Sequence, residues 1–162
     1  MRPSHWPAVL TVCAGCSLQQ PPPPPVPTDA HIGAPVDVTW QRALDFLTAQ
    51  RIPVQPDRAS GVMSARAVDL SWQQLRMWGN CGGSGSRTVQ SMNDTEMRAK
   101  NVQAKADITV TVRAAGDSTA VRPVVGVGAT WSNPMLRQQA ARFECVSNGT
   151  LEAALLAALR AP

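Results

Sequence analysis

What this chain has little of narrows its chemistry first. Tyrosine is absent, histidine occurs twice, and lysine stands only at Lys100 and Lys105. Charged residues make up 16% of the 162 positions, below the roughly 25% usual in soluble domains. So few histidines and tyrosines exclude most catalysis that rests on those side chains or on a Cys/His metal cluster. The carboxylates form no general acid/base pair, because Glu96, Glu144 and Glu152 stand isolated. No apolar run approaches the roughly 20 residues of a membrane-spanning helix. Arginines are scattered from Arg42 to Arg160 without a cluster, so the formal charge of +4 gives no nucleic-acid footprint. No catalytic residue, metal ligand or cofactor site is expected.

Proline and cysteine are what the chain does have. Of fourteen prolines, six lie between Pro21 and Pro27. Ahead of them come Arg2, an apolar stretch from Trp6 and then small residues to Gly15. That order is the order of a secretory signal peptide, which residues 1–15 would form. Its removal takes Arg2 away and lowers the formal charge from +4 to +3.

Cys13-Ala14-Gly15-Cys16 resembles the lipobox of bacterial lipoproteins, with Cys13 where leucine is preferred. The resemblance implies that Cys16 becomes the N-terminus and carries a diacylglyceryl thioether. Several acyl chains, at about 0.8 kcal/mol per buried methylene, hold a domain at a membrane without a spanning helix. An ordinary cleaved signal is the alternative. Residues 16–36 then read as a Pro-rich tether. Polyproline II rises about 3.1 Å per residue and would set the domain roughly 30–40 Å from the bilayer. Ser17 replaces the aspartate that often signals inner-membrane retention, which favours the outer membrane and a periplasmic domain.

Residues 37–162 read as a single domain. Trp40, Ala43, Leu44 and Leu47 follow the spacing of one apolar helix face, with Asp37 or Thr39 as N-cap and Pro53 as terminator. A short extended piece from Val54 to Asp57 and a strand from Val62 to Val68 flank a turn. Trp72, Leu75 and Trp78 have helical spacing, Gly79 to Ser86 reads as loop, and Thr88 to Lys105 has weak pattern. Ile108, Val110 and Val112 alternate with polar residues in the clearest strand. Ala115 to Ser118 turns it into a return strand, Thr119 to Trp131, in which Pro123 argues for an edge or a bulge. A short helix from Met135 to Ala141, a strand from Arg142 to Ser147 and a helix from Leu151 to Arg160 follow. Thr150 would cap that last helix, with Leu151, Ala154, Leu155, Ala158 and Leu159 turned inward. The expected fold is α+β: a two-layer domain with an antiparallel sheet packed by an N-terminal and a C-terminal helix.

Loss of Cys13 and lipidation of Cys16 leave Cys81 and Cys145. Outside the cytosol paired thiols tend to close, and the glycine-rich loop around Cys81 can bend to a strand-borne Cys145. A structural disulfide is expected; two free thiols or a redox pair are the alternatives. Ser84 and Ser86 lack the Gly-x-Ser-x-Gly elbow, and a Ser/His pair would have to recruit His31. His31 itself reads as a solvated residue at the tether's end.

Cys81-Gly82, the strand hairpin and Cys145-Val146-Ser147-Asn148-Gly149-Thr150-Leu151-Glu152 resemble a group of small proteobacterial lipoproteins without assigned activity. Val38-x-Trp40 followed by Asp57-x-x-x-Gly61 and a strand, over residues 37–68, resembles the helix-grip domains of the BamC lipoproteins of the outer-membrane barrel-assembly machinery. These resemblances imply a helix-grip-like fold and a non-catalytic binding or accessory module of the cell envelope. Its partners would be the membrane, through Cys16, and an envelope protein. An envelope hydrolase, or a purely structural lipoprotein, is the competing expectation. Labelled palmitate should enter the wild-type chain and be lost in Cys16→Ser; incorporation in the variant would refute the anchor.

Overall fold

The computed structural model describes residues 29–81, 93–99, 101–131 and 141–161. The period-2 stretch that dominates the sequence builds its frame. Strands β5 (Val102–Ala115) and β6 (Ser118–Trp131) pair antiparallel along all 14 residues, with Val102 opposite Trp131 and Ala115 opposite Ser118. The two-residue loop puts Gly116, φ 62°, at its first central position, where a type II′ hairpin turn requires glycine.

Other strands add to both sides of this hairpin. β3 (Val62–Ala67) pairs with β5, and β2 (Val54–Asp57) closes that edge. On the far side, β7 (Ala141–Ser147) pairs with β6 from Gly126 to Trp131, and β4 (Gly79–Asn80) pairs with the end of β7. A short β1 (Ala30–Ile32) lies in line with β7 against the first part of β6, with Ala30 opposite Val121. All pairs are antiparallel. Among the described residues, β6 has no neighbour on that edge between Val121 and Gly126.

Pro123 falls in this interval. The β5–β6 register runs through it without a bulge, and β6 is a central strand. Proline's missing donor is tolerated because one side of the strand is locally free. The expected edge character therefore holds for a few residues of β6 and not for the strand.

Among the described residues, four helices cover one face of the sheet: α1 (Val36–Ala49), α2 (Trp72–Trp78), α3 (Asp94–Ala99) and α4 (Thr150–Arg160). The alternation decides which face. Met63, Ala106, Ile108, Val110, Val112, Val121 and Val127 point into one core with Trp40, Ala43 and Leu47 of α1 and Leu151, Leu155 and Leu159 of α4. Leu75 and Trp78 of α2 and Met97 of α3 join them. Arg42 Nη1 donates to the Leu159 carbonyl at 3.1 Å and fastens α1 to α4. The chain is an α+β, two-layer domain, with the first and last helices as its main cover.

Local details differ from the sequence reading. Residues 30–36, assigned to the tether, form β1, the approach to α1 and its first residue. Helix α1 starts at Val36 after Pro35, without a side-chain cap; Thr39 is instead buried, its hydroxyl directed to the Ala34 carbonyl at 3.4 Å. Thr150 is the first residue of α4, after a left-handed Gly149. Ala154 is exposed and Glu152 buried, so the inward stripe of α4 is rotated from the expected one. Gly79 and Asn80 form a strand rather than loop. Residues 135–140 of the predicted Met135–Ala141 helix lie outside the described residues, and Ala141 begins β7.

Cys81 and Cys145 are disulfide-bonded, 64 residues apart in sequence and 4.0 Å apart between Cα atoms. They continue the β4–β7 register by one step past Asn80 opposite Val146. The bond closes a ring that contains α3 and the whole β5–β6 hairpin. Chain entropy gives a crosslink of this span about 4 kcal/mol. Replacing both cysteines by serine should lower the unfolding free energy by about 2–5 kcal/mol in denaturant titration; an unchanged midpoint would show that the bond does not hold the sheet.

Candidate functional site

Among the described residues, the helices all pack on one side and leave the opposite face of the sheet uncovered. Its outward residues are set by the same alternation. Gln103, Lys105, Asp107, Thr109 and Thr111 come from β5, and Arg122, Val124, Gly126, Gly128 and Thr130 from β6. Cross-strand pairing gives the layout: Arg66 opposite Asp107, Asp107 opposite Gly126, and Gly126 opposite Val146. One step along, Lys105 stands opposite Gly128.

Two outward glycines in succession on the central strand leave a trough. It has a volume of about 340 Å³, floored by β6 from Gly126 to Thr130, walled by Gln103, Lys105 and Asp107, and ended by Val68 and Asp69. Val124 and Val146, 52% and 60% exposed, stand beside the floor. Large apolar side chains so exposed on a bare sheet are the feature the domain core does not account for.

Nothing in the backbone explains glycine at position 126. Its φ is not left-handed, and a Cβ there would meet only the Asp107 carbonyl at 3.8 Å, an ordinary contact. Glycine weakens a strand interior, and where the fold does not demand it, it marks close approach of another group. Gly61 is the contrasting case. It has φ 68°, and a Cβ would fall 2.6 Å from the Val112 carbonyl, while its own carbonyl accepts from Val112 N at 2.8 Å. That glycine belongs to the fold; Gly126 belongs to the surface.

The charged wall is itself organised. Asp107 pairs with Arg66 on one side and with Lys105 Nζ at 3.4 Å on the other. The hydrogen bond from Arg66 holds the Asp107 carboxyl below the usual carboxylate range; burial opposes it, and the charge of Lys105 adds to the lowering. The Arg66–Asp107 pair forms a ridge. Beyond it a second depression of about 360 Å³ lies over Pro53, Gln55, Ser64 and Thr109. Both hollows are on the open face.

The structure brings together one sequence-predicted pair, Cys81 with Cys145. Cys16, the signal and the residues of the tether before Asp29 lie outside the described residues, as do Ser84 and Ser86. His31 is exposed and its Nδ1 lies 3.4 Å from Ser118 Oγ, at the hairpin turn. Ser118 gives its hydroxyl hydrogen to the Ala115 carbonyl at 2.9 Å, so this Ser/His contact lacks the proton geometry of an activated nucleophile. Among the described residues no three of His, Cys, Asp and Glu gather as metal ligands, and no helix is long and apolar enough to cross a membrane.

The turn quoted for the lipoprotein resemblance has a structural task. Asn148 N donates to the Trp78 carbonyl at 3.1 Å, and its side-chain amide donates to the Met77 carbonyl at 2.8 Å. It thereby stitches the start of α4 to the end of α2, next to the disulfide. Glu152, four residues on and in the first turn of α4, is 1% exposed, and its Oε2 has no hydrogen-bond partner among the described residues. The trough was missed by sequence reading. Its signal was Gly126-Val127-Gly128, glycine at alternate places in a strand, which shows a cleft only once the outward face is known.

No protein-family model matches the chain, and comparison with curated proteins finds no match.

The two glycines predict opposite outcomes. Gly61→Ala should cost about 2 kcal/mol, from left-handed strain and the Val112 carbonyl, whereas Gly126→Val should leave stability unchanged or raise it by up to about 1 kcal/mol. Chemical denaturation of both variants checks this, and equal losses would remove the case that Gly126 serves the surface.

Proposed function

We propose that this chain is a lipid-anchored module of the bacterial cell envelope that binds a partner on the open face of its sheet. The observation that carries the reading is the glycine-floored trough beside exposed Val124 and Val146. A sheet that spends strand propensity on two outward glycines gains a cleft, and the cleft presents charge on one wall and apolar surface on the other. Such a mixture fits recognition, where apolar contact supplies affinity and placed polar groups fix orientation.

The anchor half of the reading rests on Cys13-Ala14-Gly15-Cys16 and the Pro-rich tether. Its likeness to lipoproteins supports Cys16 as the lipidated residue and attachment at the outer membrane, with the domain in the periplasm. The Cys81–Cys145 bond is consistent with an oxidising compartment. An accessory role in an envelope assembly, with the module itself non-catalytic, is the form this binding takes.

Crosslinking in intact envelope followed by capture of the chain tests the reading. One stoichiometric protein partner should be recovered with the wild type and reduced at least about tenfold with Gly126→Leu, about 1.4 kcal/mol in affinity. Equal recovery with both would place binding elsewhere, and recovery of a clean monomer would sink the module.

A further inference from the structure

The register of β1 aims the preceding chain at the trough. β1 pairs antiparallel with β6, so moving back from Ala30, opposite Val121, advances along β6 toward Gly126. β1 itself ends at Ala30, and one further step of the same register would bring Asp29, the first described residue, toward Arg122. Asp29 and Arg122 are both exposed, and their charges are opposite. The in-line path then ends, because β7 occupies the column from Val146 onward, opposite Gly126. On the helical side α4 packs against both β1 and β6, which closes the way there. The open face is the remaining side, and Val124, Val146 and the glycine floor lie directly ahead on it.

We propose that the Pro21–Pro27 segment of this same chain lies in the trough, a cis occupant that an envelope partner must displace. The proposal rests on the reading of the open face as the binding surface and gives that surface a regulator. Lengths agree. Seven residues of polyproline II at about 3.1 Å each cover about 20 Å, and β6 from Val124 to Thr130, at about 3.3 Å per residue, covers the same.

The chemistry agrees as well. Prolines bring no N–H groups and so leave no donors unpaired on a floor of strand backbone. Their rings need apolar contact and room beside a backbone, which Val124, Val146 and the glycines provide. Their carbonyls accept hydrogen bonds, and Lys105 Nζ stands on the wall. The segment enters already extended, so little conformational entropy is lost on docking.

A photocrosslinker at the middle of the segment tests this in the purified full-length chain in detergent. With Pro24→p-benzoylphenylalanine, irradiation at low protein concentration should give an intramolecular crosslink that maps to residues 124–130 or to Val146. Adding Gly126→Leu should lower its yield at least fivefold while circular dichroism and the thermal midpoint stay unchanged. Crosslinks to the helical face, a product seen only between two chains, or a yield indifferent to Gly126→Leu would each overturn the proposal. If the Pro24 crosslink fails while partner capture still depends on Gly126, cis occupancy is overturned and the binding surface stands.

Discussion

The pairing of β5 with β6 places everything else. Fourteen residues of each strand run in one register, and because side chains alternate, that register alone assigns each residue to the core or to water. A slip of one position would turn Ile108, Val110 and Val112 outward and bury Asp107 and Arg113. Burial of several aliphatic side chains at about 1.5–3 kcal/mol each holds the register in place. β3 and β7 extend the sheet from this hairpin, and the helices then have one apolar face on which to pack.

One-sided packing of the described helices makes the domain economical and, among the described residues, leaves its other face available. Antiparallel sheets tolerate this arrangement, since a solvated face needs only polar or small residues. Here the bare face departs from that minimum in two respects: adjacent outward glycines and exposed valines. The disulfide and the Asn148 hydrogen bonds lie at the edge of this region, where β4, β7, α2 and α4 meet. They stiffen the β7 side of the trough, so the cleft keeps its shape without support from a second layer.

Strong periodicity was readable and weak periodicity was not. The hairpin, β3, β7, α1 and α4 stood out in the sequence because each carries several apolar residues at one repeat. The disulfide followed from compartment and count. The caps failed because Asp37, Thr39 and Thr150 have good capping chemistry but the chain enters both helices through Pro35 and Gly149. β1 was hidden in a Pro-rich segment, too short for three residues to show a pattern. The burial of Glu152 was beyond reach, since a charged residue in a first helical turn ordinarily stays in water. The trough needed the assignment of faces and the knowledge that Gly126 has no backbone reason to be glycine, and neither can be had from composition.

Pro123 has a consequence of another kind. Among the described residues, the interval between β1 and β7 leaves part of a central strand edge unpaired, and unpaired edges recruit foreign strands. A strand recruited there would join two copies of the chain into one larger sheet. Proline in that interval removes a donor that an incoming strand would need, much as charged or proline residues guard the outer edges of natural sheets. The same residue that looked like a flaw in a β-strand is a safeguard against the protein joining itself into larger sheets.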